Sequence, residues 1–225
     1  AHANGHKLFL CTGRNLRMTR PLLDYGFDGA VCSAGGYVFC GDKVLVDLPM
    51  EPQLAKDVRS AMERHGVECT LEARDATYGS LKMLERWSFT HRDAGPLNSE
   101  AARWRKAMED GMTMSPLAEY KGEPLYKIVY IAERSEDLNE AKRLYEDRFV
   151  FCVNGELINR KFDKGRGIKA VCDYLGVPLQ NSIGFGDSDN DLQMTDVVGI
   201  SVCMADGSAS LKQRCDRIAP SVYED

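Results

Sequence analysis

The sequence predicts an α/β protein: a doubly wound, mostly parallel sheet with an α+β unit inserted in the middle of the chain. Three observations carry that prediction. Both ends of the chain alternate short apolar runs with stretches of helical periodicity, a hairpin-bearing middle interrupts the alternation, and Pro49 and Pro52 punctuate the entry to that middle. Strands alternating with helices imply a parallel sheet with right-handed crossovers, whose ligands bind outside the carboxyl ends of the strands.

AHANGH at the start reads as the last turn of a helix, with Gly5 as the left-handed residue past its end. Lys7 to Cys11 is a short apolar run of buried-strand type, followed by a turn at Thr12-Gly13 and a helix to about Tyr25. Gly29 to Cys32 is a second strand, and Tyr37–Cys40 with Lys43–Asp47 form a hairpin about Gly41-Asp42. Pro52 opens a helix with Leu54, Val58 and Met62 inward and Gly66 as its stop. Cys69 to Glu72 is a strand, Leu81 to Trp87 fits either type, and Asn98 or Ser99 caps a helix through Ala101, Trp104 and Met108. Lys127 to Ala132 is a strand. Ser135 caps a helix with Leu138, Ala141, Leu144 and Tyr145 inward, and Phe149–Val153 with Glu156–Asn159 make a second hairpin. The α/β pattern then returns with a helix from Lys164 to Leu175 ended by Gly176, a strand Ser182–Phe185, a loop and short helix over 186–195, a strand Val198–Val202 and a helix Ser208–Cys215.

Composition removes several classes of function. The 225 residues carry 29 basic and 34 acidic side chains, a net charge of −5, with 44% hydrophobic residues, which suits a globular protein and not a disordered or fibrous one. The longest nearly apolar run, Val197 to Ala205, is far short of the ~20 residues that cross a bilayer. An acidic pI near 5.5 without basic clusters gives no footprint for nucleic acid. Eight scattered cysteines, none in a CxxC, fit a reducing compartment, and cytoplasmic location is the expectation. The four histidines make no HExxH and give no zinc site.

Three strand ends carry unusual residues. After SIGF comes GDSDND, with Asp187, Asp189 and Asp191 in five positions. These acids either favour the N-terminus of the next helix or, because they repel one another, gather a cation. Leu192 and Val198 stand where an EF-hand needs Gly and Glu, so the cation expected is a hard one such as Mg²⁺, not a calcium loop. Thr12, Gly13 and Arg14 follow a strand and open a helix, which reads as an ordinary Thr cap or as an anion seat. Asp163 is a natural N-cap, placing Lys164 and Arg166 where cations oppose the helix dipole, with Gly165 and Gly167 weakening the turn further. A bound anion would compensate. Such a set stabilises the charge of a phosphoryl group in transfer, but a nucleophile is missing.

FLCTGR, FDKG and IGFGDSDND, in this order and separated by a large α/β insert, resemble the second, third and fourth motifs of the haloacid dehalogenase (HAD) superfamily, in its Cof-type branch. The resemblance implies a HAD-like Rossmannoid core at 1–48 and 161–225, lacking its first strand, and a cap at 49–160 that closes over substrate. It also implies a Mg²⁺-dependent phosphatase acting on a small phosphomonoester, such as a sugar phosphate, through an aspartyl-phosphate. Within it Thr12 is catalytic and holds phosphoryl oxygens, with Gly13 and Arg14 beside it. Lys164 neutralises nucleophile and phosphate, Asp187 ligates Mg²⁺, and Asn190 and Asp191 complete the phosphate and metal environment. Cap residues that could face substrate are Tyr78, Trp87, His91, Arg92, Trp104 and Arg105, although aromatics at helical spacing are more often core.

The chain departs from that pattern in three places. The family's first-strand DxD motif is absent, with no acid before Thr12, Ala34-Gly35-Gly36 stands where Asn-Gly-Ala is usual, and the sequence stops at Asp225 where relatives continue. The family's missing strand lies between those ending at Cys11 and Phe185, so the expectation is a fragment whose nucleophile is upstream. The alternatives are an inactive phosphate- or ligand-binding protein and a phosphomutase. The partner expected is a small phosphorylated metabolite. Neither nucleic acid nor membrane is expected, and oligomeric state leaves no trace in the sequence.

Overall fold

The computed structural model describes residues 1–84, 113–152 and 155–221. In chain order, a 3₁₀ turn at His2–Asn4 precedes β1 (Phe9–Cys11), α1 (Leu16–Leu23), β2 (Gly29–Cys32), β3 (Tyr37–Cys40) and β4 (Lys43–Asp47). There follow α2 (Pro52–Glu63), β5 (Glu68–Ala73), β6 (Thr77–Gly79), β7 (Ser115–Pro116), β8 (Leu125–Ile131), α3 (Asn139–Tyr145), β9 (Phe149–Phe151) and β10 (Glu156–Asn159). Then come α4 (Lys164–Leu175), β11 (Ile183–Gly186), α5 (Leu192–Thr195), β12 (Ile200–Met204), α6 (Ala209–Arg214) and β13 (Arg217–Ala219). This is the α/β class expected, with parallel sheets and an α+β stretch inserted in the middle of the chain. No helix among the described residues is long and apolar enough to cross a membrane.

The described chain divides into two compact units, the first made of Ala1–Gly13, Asp28–Asp47 and Phe162–Asp225, the second of Arg14–Phe27 and Leu48–Lys161. In the first unit β1 pairs in parallel with β2, and the hairpin β3–β4 extends that sheet antiparallel. A second sheet runs β11-β12-β13, all parallel. Among the described residues β1 has no neighbour beyond β2, and β11 none beyond β12. Ile183 and Phe185, two residues apart and so on one face of β11, are 57% and 63% exposed. Helix α4 buries Val171 against Val31 and Val38, and its Gly176 ends it at φ 65°.

Asp28 anchors the start of β1. Its carboxylate accepts from Lys7 Nζ and the Leu8 N–H at 2.9 and 2.8 Å and bonds His2 Nε2 at 2.9 Å. Burial pushes its pKa up, but these partners outweigh burial and hold it at about 2.

The second unit is a six-stranded sheet of order β7-β6-β5-β8-β10-β9. Alternation puts Leu71, Ile128 and Leu157 on one face, where they form a core with Val58 and Met62 of α2 and Ala141 of α3. Tyr78 belongs to this core, its hydroxyl donating to Glu123 at 2.7 Å. It is core, the commoner fate weighed for it. The expected helix through Ala101, Trp104 and Met108 lies outside the described residues, as do Trp87, His91, Arg92, Trp104 and Arg105.

Several local expectations are corrected. Arg134, not Ser135, is the N-cap, its N–H donating to Asp137 Oδ2 at 3.1 Å and its carbonyl accepting from the Asp137 N–H at 3.2 Å, because a 3₁₀ turn at Ser135–Leu138 precedes α3. Leu144 is 43% exposed instead of inward, since that extra turn rotates the face. The strand expected at Val198 begins at Ile200, because Val197 and Val198 donate their N–H groups to Met194 and close the turn after α5.

Candidate active site

The site is built at carboxyl ends of parallel strands in the first unit, where an α/β sheet presents its ligands. At the end of β1, the Thr12 N–H donates to Val31 O at 2.8 Å and the Thr12 carbonyl accepts from the Ala34 N–H at 3.0 Å. Thr12, Gly13 and Arg14 do not open a helix as expected. Helix α1 starts at Leu16 because the buried Asn15 side chain accepts from the Met18 N–H, and that cap sets the first turn. Thr12 and Gly13 are thus a linking segment tied to β2, with Arg14 next in sequence.

Lys164 is the first residue of α4, behind an Asp163 cap whose carboxylate accepts from the Arg166 N–H at 2.8 Å. The ammonium is buried, with its side chain 5% exposed, and donates to Asp191 Oδ1 at 2.6 Å and to Asn190 Oδ1 at 2.7 Å. A cation at this position opposes the helix dipole, and Asp191 offsets that. The glycines beside it answer packing. A Cβ on Gly165 would lie 2.5 Å from the Gln193 carbonyl oxygen, and one on Gly167 2.5 Å from Val31 Cγ1. The weak helix start is therefore met within the chain by an ion pair and two close approaches.

The acidic loop follows β11. Asp191 forms a capping box with Ser188, and its Oδ2 accepts from the N–H groups of Asp187 and Ser188 at 3.1 and 3.2 Å. Asn190 Oδ1 also accepts from Ser188 Oγ at 2.9 Å. Asp189 takes the hydroxyls of Ser208, at 2.7 Å, and Ser210, and these bonds hold its carboxyl below the usual range. Hydrogen bonds and a lysine thus relieve much of the mutual repulsion that had suggested a cation. Asp187 is different. It is exposed, and its side chain has no hydrogen bond or ion pair among the described residues.

For a hard cation, the fit rests on Asp187. Mg²⁺ commonly takes one or two carboxylates and keeps several waters, so one uncommitted carboxylate beside a second, anchored one suits it. Asp191 already serves Lys164 and two backbone N–H groups, so it stands here as the brace of the loop.

Cys11, the residue before Thr12, is no substitute nucleophile. Burial pushes its thiol up to about 12, and the nearby Lys164 lowers it only in part, so a thiolate is negligible near neutrality. The structure brings Lys164, Asn190 and Asp191 into direct contact, sets Asp187 at the edge of that cluster and ties Thr12 to the end of β2. Sequence reasoning missed the loop Ser33–Gly36, where Ser33 and Ala34 have positive φ. Its one trace in the sequence is the departure at Ala34. It also missed Ser208 and Ser210 as partners of Asp189; Ser208 had been visible only as a helix start.

Comparison with known proteins follows the geometry. YkrA of Bacillus subtilis is 25% identical over 229 residues, covering 98% of this chain and 81% of its own length. A phosphoglycolate phosphatase of Archaeoglobus fulgidus is 33% identical over 92 residues, 39% of this chain and 41% of that protein. Across the first three curated relatives, that phosphatase included, the chain spans 26%, 41% and 53% of their own length, so these likenesses are partial. Among solved structures, a haloacid dehalogenase-like hydrolase from B. subtilis aligns with TM-score 0.77 at 20% identity, over 98% of this chain and 85% of that one. The HAD subclass IIB sugar phosphatase BT4131 aligns with TM-score 0.76 at 20% identity, over 100% and 84%. With residues 1–225 all matched by the model of the haloacid dehalogenase-like hydrolases, the chain belongs to that family.

Proposed function

We propose that this chain carries the phosphoryl-binding and cation-binding side of a Mg²⁺-dependent phosphatase that hydrolyses a small phosphomonoester of the sugar phosphate class. The observation that carries the reading is the buried Lys164 ammonium, fixed on Asp191 and Asn190 beside an exposed, uncommitted Asp187. The named phosphatases among its relatives support it. The core would comprise 1–48 and 161–225 and the cap 49–160.

Each residue then has a task. Thr12, with Gly13 and Arg14, binds the phosphoryl oxygens. Lys164 places a fixed positive charge on them and costs no reorganisation, because Asn190 and Asp191 already hold it. Asn190, whose carbonyl oxygen is taken by Lys164 and Ser188, turns its amide N–H groups to the ligand. Asp187 and Asp191 would hold Mg²⁺, which when bound supplies charge neutralisation on the transferring group. The attacking carboxylate, in this reading an aspartate that becomes phosphorylated and is then hydrolysed, is not supplied by residues 1–11, which hold no acid.

Release of inorganic phosphate from a panel of phosphomonoesters, by the full protein with and without Mg²⁺, tests this. Turnover that needs Mg²⁺ and is lost in Asp187→Asn is expected. Phosphate binding without turnover would favour a ligand-binding protein, a reading motivated by the absence of any acid in residues 1–11. Transfer between hydroxyls without release would mark a phosphomutase.

A further inference from the structure

Asn190 is the neutral member of the cluster it forms with Lys164 and Asp191, and one hydroxyl decides which way its amide points. The Lys164 ammonium carries N–H donors alone, so the Asn190 atom 2.7 Å from it is the carbonyl oxygen, Oδ1. Ser188 Oγ lies 2.9 Å from the same oxygen and therefore donates to it. Both lone pairs of Oδ1 are then occupied, and Nδ2 faces the other way. Asn190 is half-buried, and its Nδ2 has no acceptor among the described residues and reaches solvent. Lys164 uses one N–H on Asn190 and one on Asp191 Oδ1, at 2.6 Å, and keeps a third.

Lys164 alone does not settle the amide plane, because the last torsion of an asparagine side chain is broad and one bond to Oδ1 lets the plane swing. The Ser188 bond removes that freedom. Ser188 is itself held at the backbone, where its N–H donates to Asp191 Oδ2 at 3.2 Å and its carbonyl accepts from the Asp191 N–H at 2.9 Å. A serine also belongs here for a plainer reason, since Ser188 precedes the 3₁₀ turn Asp189–Asp191. The two roles need opposite chemistry. A cap uses the hydroxyl as an acceptor, whereas orienting Asn190 uses it as a donor.

From this geometry we infer that Ser188 is a positioning residue of the phosphoryl seat, its hydroxyl locking the Asn190 amide so that the Nδ2 hydrogens meet an oxygen of the ligand. Ser188 does not touch the ligand and acts through Asn190. The inference rests on the phosphatase reading and adds the group that orients its neutral donor. Two N–H groups of Asn190 and the remaining one of Lys164 suit an oxygen that offers lone pairs alone, as a phosphoryl oxygen does.

The test is calorimetric affinity for inorganic phosphate, with Mg²⁺ present, in the full protein and in its Ser188→Gly, Ser188→Ala and Ser188→Thr variants. Ser188→Gly keeps most of the capping and cannot donate, so it is expected to weaken phosphate binding about three- to tenfold, and Ser188→Ala likewise. Ser188→Thr restores the donor and should stay within twofold of wild type. In an Asn190→Ala background, Ser188→Gly should cost less than a further twofold, because the group it orients is gone. Wild-type affinity in Ser188→Gly, no rescue by Ser188→Thr, or the same loss with Asn190→Ala as without it each overturn the inference. Should Ser188→Ala fail to fold, Ser188→Gly carries every comparison. A wild type that binds no phosphate refutes the phosphoryl-binding reading and the inference with it, whereas a wild type that binds phosphate no better than Ser188→Gly overturns the inference alone.

Discussion

Two lysines are buried to the same degree, one in each unit, and their neighbourhoods differ in a way that separates structure from chemistry. Lys127 lies on the face of the second unit's sheet opposite the apolar core, 2.8 Å from Glu156 Oε1 and 3.3 Å from Glu72 Oε2. Glu72 and Lys127 are register partners on β5 and β8. Burial pushes the Glu72 carboxyl up while Lys127 pulls it back, and burial lowers the Lys127 pKa while the two carboxylates raise it further. The ammonium is enclosed by partners on regular strands. Lys164 has its partners too, yet it opens a helix against the dipole, next to the exposed Asp187 and to a loop with two left-handed non-glycine residues. Burial of a charge alone signals nothing; burial in a place where local rules are broken does.

The largest expected effect tests that contrast directly. Lys164→Met should lower kcat/KM for phosphate release by about a thousandfold or more, as loss of a preorganised charge at a transferring group does. Steady-state assays against the folded wild type check this, and a loss under tenfold would place Lys164 with Lys127 as structural. The mirror variant, Lys127→Met, should cost about 3 to 5 kcal/mol of unfolding free energy, because Glu72 and Glu156 are left buried without a counter-charge. Turnover per folded molecule should hardly change. Denaturant titration reads the loss, and replacing all three residues with apolar ones should recover most of it.

Asp28 gives a smaller effect. With its carboxyl held at about 2, it contributes stability that is present above the unfolded value of ~3.9 and is lost as pH falls through the folded one. Asp28→Asn should therefore cost about 1 to 2 kcal/mol near neutrality, after discounting for its partial exposure, and the gap should close between about pH 4 and pH 2. A gap independent of pH would assign the loss to packing. The smallest effect belongs to Glu140, which meets Arg64 and His65 at 2.6 and 2.7 Å on the surface of the second unit. Glu140→Ala should leave the unfolding midpoint nearly unchanged, with what shift there is shrinking in high salt, as thermal unfolding at two salt concentrations would read.

Regular elements were legible where one interaction range dominates. The limits of α4 follow from Asp163 and Gly176, one a cap and one a left-handed stop. The hairpin β3–β4 follows from Gly41-Asp42 between apolar strands, and its turn glycine has φ 53°. Strands β6, β7 and β13 span three residues at most and owe their form to neighbours, so no periodicity announces them. At the site, Lys164 and the acidic loop could be read because they violate dipole and repulsion rules. The contact of Lys164 with Asp191 could not, since it joins residues 27 apart through packing. Ser33 was hidden for the same reason: a serine after a strand looks ordinary until its φ is known.

The split layout of the first unit bears on how the protein is made. Its three stretches flank the second unit, and α4 must find β2 and β3 after most of the chain has been synthesised. The inserted stretch, by contrast, can close on a core of its own, with Met50 near its start bonded to Leu125 of β8, and β10 at its end paired to the same strand. Once closed, it shortens the loop that α4 has to bridge, and the entropic cost of that bridge falls with it. Lys164, Asp187 and Asp191 all leave the ribosome after the insert, whereas Thr12 leaves before it, so the two halves of the candidate site meet only once the insert has been made.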